Sequence, residues 1–230
     1  MAKQMRKISL IFILTLVLVV PFYAQNDRNW DNQIYLGNKV QFGKNKWKFS
    51  GELQTRLKDN FQSLDNWFFE FTTSYMYSKN FEFVPDLRFS IKPTKTEFRP
   101  GFGVLYKIHT EKIQYINQLK WQIDLGSDGK VGNAMRAVLF LNYKLSDKIV
   151  STTVAGFIYR WWPDWNGVQY IRVGPGLSYV FDESHILNFN YFIGVENKYG
   201  DWQWAGIPVV QLVINLTKKY KYIPAFYFDF

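Results

Sequence analysis

Two segments of this chain repeat one arrangement of arginine, glycine and tyrosine. Arg99-Pro-Gly101-Phe-Gly103-Val-Leu-Tyr106 and Arg172-Val-Gly174-Pro-Gly176-Leu-Ser-Tyr179 share the spacing R-x-G-x-G-apolar-x-Tyr. A guanidinium is planar, permanently charged and shaped to grip carboxylate or phosphate with two donors at once. Glycines beside it leave room for a bulky neighbour or let a strand coil. Two readings follow: a pair of arginines held at similar depth along a path for anions, or simple repetition of backbone geometry. A nucleotide-binding glycine loop is excluded, because no helix follows either glycine pair.

The alternative chemistry is hydrolytic. Lipid hydrolases of bacterial envelopes commonly use a serine whose proton is taken by a histidine. The chain has two histidines, His109 and His185, in the turn-like segments KIHTEK and FDESHIL. Ser184 adjoins His185, but neighbouring side chains on an extended strand point apart. A working pair is therefore not expected, and neither is a metal site, since His109, His185 and the nearby carboxylates lack ligand spacing. The sequence reads as a non-enzyme without a cofactor.

The elements that must position these groups are strands. Trp47 to Leu57, WKFSGELQTRL, alternates fully: Trp47, Phe49, Leu53 and Leu57 fall on one face, and Lys48, Ser50, Glu52, Gln54 and Arg56 on the other. About twelve such runs occur, at 33–43, 47–57, 66–77, 81–91, 97–108, 112–125, 134–145, 148–160, 168–180, 185–196, 206–217 and 220–230. Each is bounded by Gly, Pro, Asn, Asp or Lys clusters, and each is long enough for a tilted strand to cross a bilayer, which takes about 9 to 11 residues. Run 148–160 is ambiguous, because both faces are largely apolar.

A soluble sandwich or lipocalin-like barrel would alternate too, with its apolar face inside. A barrel of about twelve strands is too wide for inward apolar side chains to fill, so the charged face is expected to line the lumen and the aromatic face to meet lipid. Closure also removes exposed strand edges. The predicted fold is an all-β, closed antiparallel transmembrane β-barrel. Its lumen-lining candidates are Arg56, Arg88, Arg99, Arg136, Arg160 and Arg172, among interleaved carboxylates that should pair with many of them. The interior is then either narrow and closed by ion pairs, or open and favourable to anions.

Residues 1–24 have the form of a secretory signal. Lys3, Arg6 and Lys7 precede the apolar Ile8–Val20, with Pro21 and Ala24 before the expected cut; an uncleaved anchor is the alternative. Residues 25–230 form one barrel domain. Losing three cations lowers the formal charge from +9 to +6, modest for this length, so anionic lipid and lipopolysaccharide are expected partners and nucleic acid is not. There is no cysteine, hence neither a lipoprotein anchor nor a disulfide framework. The 20% aromatic content suits interfacial girdles at both rims of a barrel.

The final run, YKYIPAFYFDF, places Tyr222, Phe226, Phe228 and Phe230 on one face and ends on Phe. It resembles the C-terminal signal by which the barrel assembly machinery recognises bacterial outer-membrane proteins. Through Trp47–Leu57, Arg99–Tyr106 and this last run, the mature chain resembles a family of small outer-membrane barrels of Bacteroidota that carry a domain of unknown function. The resemblance implies the outer membrane and about twelve strands, and brings no activity with it.

The two ends should differ. Tight turns carry Lys44, Lys46, Lys79, Lys112, Lys148, Lys218 and Lys219, suited to lipopolysaccharide phosphates or simply to solubility. Longer loops are expected to carry Trp161, Trp162, Trp165, Trp202 and Trp204, where clustered indoles could hold an envelope protein partner or anchor in lipid. Three functions remain: a narrow anion-favouring pore or small-ligand carrier, a structural or accessory subunit of an envelope complex, and an envelope-lipid acyl hydrolase.

Overall fold

A computed structural model describes residues 29–198 and 200–217. The predicted signal segment and the final run 220–230 lie outside the described residues. The strands are β1 (Trp30–Asn32), β2 (Ile34–Lys44), β3 (Trp47–Lys58), β4 (Ser63–Met76), β5 (Phe81–Ile91), β6 (Thr96–His109), β7 (Ile113–Gly126), β8 (Val131–Lys144), β9 (Ile149–Trp161), β10 (Asn166–Val180), β11 (His185–Lys198) and β12 (Asp201–Asn215). Eleven of the predicted runs are β2 to β12, and each pairs antiparallel with its chain neighbour.

The seam departs from the even, fully antiparallel barrel expected. β12 closes the ring on β2 in parallel, from Val209↔Tyr35 to Asn215↔Gln41. The reason is parity: eleven strands of alternating direction bring the first and last to the seam pointing the same way. The short β1 lies outside this ring count and pairs with β12 in parallel, from Trp30↔Trp204 to Asn32↔Gly206.

Alternation sorts the side chains as anticipated on the outside. Leu53, Phe69, Leu87, Phe102, Leu119 and Trp121 are among the exposed apolar residues of the wall. Aromatics gather at both rims, as lipid interfaces favour. At the rim holding the β2–β3 turn, Phe42, Phe49, Trp47 and Tyr75 form a run with centroid spacings of 5.0, 6.3 and 4.7 Å. At the opposite rim Trp121, Trp161 and Tyr159 sit 5.3 and 4.6 Å apart.

The inside corrects the sequence reading. It is not lined by charge throughout: Leu105, Ile116, Phe140, Val154, Ile158 and Ile207 belong to one buried apolar cluster within the lumen. The ring is narrow enough for bulky aliphatics on β6 to β9 and β12 to meet and fill one sector, leaving charge to the rest. This also resolves run 148–160, where Val154 and Ile158 are buried and Phe157 faces out.

The predicted contrast between short and long loops is absent. Every connection between ring strands has four residues or fewer, at both rims. Strand pairing simply continues to the ends, so WWPDWNG is a four-residue turn, 162–165, flanked by paired residues, and Trp202 and Trp204 stand on β12 rather than in a loop.

Candidate functional site

Inward parity on β3 to β7 places the acids and bases of the lumen against one another at mid-depth. Glu52, on β3, accepts from Lys39 Nζ at 3.3 Å, from Gln211 Nε2 at 2.8 Å and from Gln54 Nε2 at 3.2 Å. Glu70 accepts from Arg88 Nε at 2.7 Å, and the Lys120 Nζ reaches Asp86 at 2.6 Å. Lys107 pairs with Glu82 nearer the β2–β3 rim. Arg88 and Lys120 are each 2% exposed and Asp124 is 0% exposed. Enclosure to that degree means that these side chains pack against one another and narrow the lumen at this depth.

Glycines make the packing possible. A Cβ on Gly101 would stand 2.6 Å from Lys120 Cε and 2.8 Å from Asp86, so the first glycine of the repeated motif is the space that holds this ion pair. In the second copy, a Cβ on Gly174 would fall on the backbone carbonyl of Tyr191. The motif therefore serves close approach in both copies, by different neighbours.

Beyond the charged belt, toward the rim where β3 ends, the lumen opens into a vestibule of about 230 Å³. Seven cations line it, Arg56, Lys58, Arg88, Lys92, Arg99, Arg160 and Arg172, against three carboxylates, Asp65, Glu97 and Glu196. Five of the six arginines predicted to face inward are brought together here. Arg136 is buried but lies outside this lining.

Two irregularities shape the mouth. A register shift after Arg56 lets Asp65 and Asn66, consecutive residues, both line the cavity. A second, between Val168 and Tyr170, turns the Gln169 amide onto Arg160. Asp31 and Asn32 of β1 then fasten the 59–62 turn at this rim: Asn60 N–H donates to Asp31 at 3.0 Å, and Asn32 Nδ2 donates to Asn60 at 2.8 Å.

Within the vestibule, most charges have partners. Lys92 pairs with Glu97 at 2.8 Å, and Arg160 pairs with Asp124. Arg56 and Arg172 both lie over the Tyr35 ring, 4.4 and 5.5 Å from its centroid, and Arg172 also lies 4.1 Å over Tyr170. Arg88 rests 3.8 Å over Phe68. Arg99 is different: it is 7% exposed, its Nε and Nη2 make no hydrogen bond, and its nearest carboxylate oxygen, on Asp124, is 3.9 Å away.

The aromatic platform of Tyr35, Phe68 and Tyr170 was not singled out in the sequence reading. The signal existed as parity, since each shares its strand face with a polar residue two positions away, Gln33, Glu70 or Arg172, but three residues from three separate strands carry no shared motif.

The remaining candidates scatter. Trp161 joins the outward-facing stack on Trp121, and Trp202 and Trp204 face outward on β12. Trp162 turns inward over Gly132 and lies 5.7 Å from Lys95 and 5.9 Å from Arg160, while Trp165 closes the same turn. His109 ends β6 and His185 begins β11, beside different turns at the lysine-bearing rim. The His185 ring contacts Asp182 at 3.0 Å within its own turn, and Ser184 offers it no side-chain bond. Of the turn lysines, Lys44, Lys46, Lys79, Lys112 and Lys148 lie at this rim, and Lys218 and Lys219 lie outside the described residues.

No family model matches the chain, and no curated protein matches its sequence. Among solved structures, a bacterial polysaccharide outer membrane secretin aligns with a TM-score of 0.51 at 8% identity, over 70% of this chain and 62% of that one. This chain thus spans under two thirds of that protein's length. The KdgM porin aligns with a TM-score of 0.41 at 12% identity, over 72% and 85% of the two chains. The beta domain of the Bordetella autotransporter BrkA aligns at 0.45 and 8%, over 71% and 82%. At 8% identity the likeness to the secretin is one of fold alone.

Proposed function

We propose that this protein is an outer-membrane barrel that admits small anions at one mouth and works as a narrow anion carrier rather than an open porin. The observation that supports this most is the vestibule's charge, seven cations against three carboxylates around one cavity. Charged rings of one sign select permeants by field as well as by size. The enclosed belt of Glu70, Arg88, Lys120 and Asp86 keeps the lumen narrow behind it. The resemblance to Bacteroidota barrels, the cleaved signal and assembly by the outer-membrane machinery belong to the same reading. Anionic lipid and lipopolysaccharide are the partners that the aromatic exterior and the lysine-bearing rim fit.

The test is the reversal potential across planar bilayers under a salt gradient, for the refolded barrel and its Arg99→Ala/Arg172→Ala variant. Small anion-selective currents, with selectivity falling in the double variant, are expected. A cation-selective barrel, a silent one, or selectivity indifferent to the two substitutions overturns the reading.

A further inference from the structure

The vestibule's chemistry is more specific than positive charge. Its lining cations point into the lumen from positions that alternate with lipid-facing residues, so the strand wall separates them from membrane headgroups. The ligand must then arrive in solution through the mouth. Its size is bounded by the cavity of about 230 Å³, below the range of about 300 to 1,000 Å³ typical of drug-sized ligands.

Two features define its charge. Glu97 holds Lys92, and Glu70 and Asp124, just outside the lining, hold Arg88 and Arg160, so the seven lining cations face five carboxylates and a surplus of two remains. A monoanion would leave half of that surplus uncompensated, whereas a dianion matches it. Meanwhile Arg99, buried and with two nitrogens that donate to nothing, meets the same cavity as Arg56 and Arg172, which lie over the Tyr35 and Tyr170 rings. Guanidinium groups already fixed on aromatic faces lose little freedom on binding, and planar forks match tetrahedral oxyanions with paired donors.

We propose that the vestibule is a binding site for a small soluble phosphate-type dianion, orthophosphate or a compact phosphomonoester, held by Arg99 on one side and by Arg56 and Arg172 on the other. A phosphomonoester near neutral pH carries about −1.5 to −2 charges and three strong acceptor oxygens, and orthophosphate offers one oxygen more, which suits several guanidinium donors at once. The proposal rests on the vestibule being the functional mouth, but concerns equilibrium binding rather than passage.

The experiment is isothermal titration of the refolded barrel, in a maltoside detergent without phosphate, with orthophosphate, glycerol phosphate and acetate. Binding of both phosphates at least about tenfold tighter than acetate is expected, weakened about tenfold by Arg99→Gln and again by Arg172→Gln. Lys130→Gln, at the rim outside the lining, should leave it unchanged. Retained mobility on unheated gels shows that each variant is folded. Equal affinity for acetate and phosphate, no phosphate binding by a folded barrel, or binding indifferent to Arg99→Gln each overturns the proposal. If phosphate fails to bind while bilayer currents remain anion-selective, the carrier reading stands and only this assignment falls.

Discussion

Lys120 and Asp86 meet at 2.6 Å across the face of Gly101, with both side chains 2% exposed. Neither partner stands opposite the other in a strand pair: β5 and β7 are separated by β6, and the contact forms over the missing side chain of the strand between them. Charge in so enclosed a place is tolerable only while it is paired.

The first prediction concerns that pair. Lys120→Met should destabilise the barrel by about 3–5 kcal/mol, because Asp86 is left charged and enclosed. Lys120→Met with Asp86→Leu should recover most of the loss. Urea unfolding in micelles, followed by tryptophan fluorescence, measures both; equal destabilisation by the single and double variants would count against the pair as drawn.

The two copies of the glycine motif should respond differently to alanine. At Gly103 an added Cβ meets only ordinary contacts, the nearest at 3.5 Å, so Gly103→Ala should fold normally. Gly101→Ala crowds Lys120 and Asp86 and should lose about 1–3 kcal/mol. Gly174→Ala presses on rigid backbone rather than a flexible side chain, so the folded yield should drop most there. Folded fractions on unheated gels would rank the three.

Turns at the vestibule rim are laced by ion pairs, Lys95 to Asp128 at 2.8 Å and Lys130 to Asp164 at 3.2 Å. The hydrogen bond from Lys95 holds the Asp128 carboxyl below its ordinary value of 3.8. A carboxylate whose pKa falls on folding contributes above its unfolded value, and the contribution fades as pH drops through the folded one. Asp128 should therefore titrate below 3.8 by carbon-detected NMR in micelles, and Lys95→Ala should move its midpoint upward. At neutral pH the variant should be nearly as stable as the parent, since exposed pairs contribute little.

Tryptophans that look alike in sequence should differ in lipid contact. Trp121 is 47% exposed and stacks on Trp161 on the outer wall, whereas Trp162 turns inward over Gly132. In single-tryptophan variants reconstituted with brominated lipids, emission from Trp121 should be strongly quenched and emission from Trp162 should not. Equal quenching would place Trp162 on the outer surface.

What the sequence by itself determined is the pair of faces. Alternation with a period of two holds for any extended strand, whatever its neighbours, so Arg56, Arg88, Arg99, Arg136, Arg160 and Arg172 could be assigned inward and Trp47, Phe49 and Leu53 outward before any strand was paired. Parity says nothing, however, about who is met across the lumen. Gln211 reaches Glu52 over 159 residues of chain, and Arg56 and Arg172 share the Tyr35 ring from separate strands. Strand number and the parallel seam settled those encounters, along with the apolar sector and the splitting of the tryptophans between lipid and mouth. Closure decided them because it fixes the distance and stagger between strands remote in sequence, and only that geometry gathers surplus cations around one cavity while neutralising those at mid-depth.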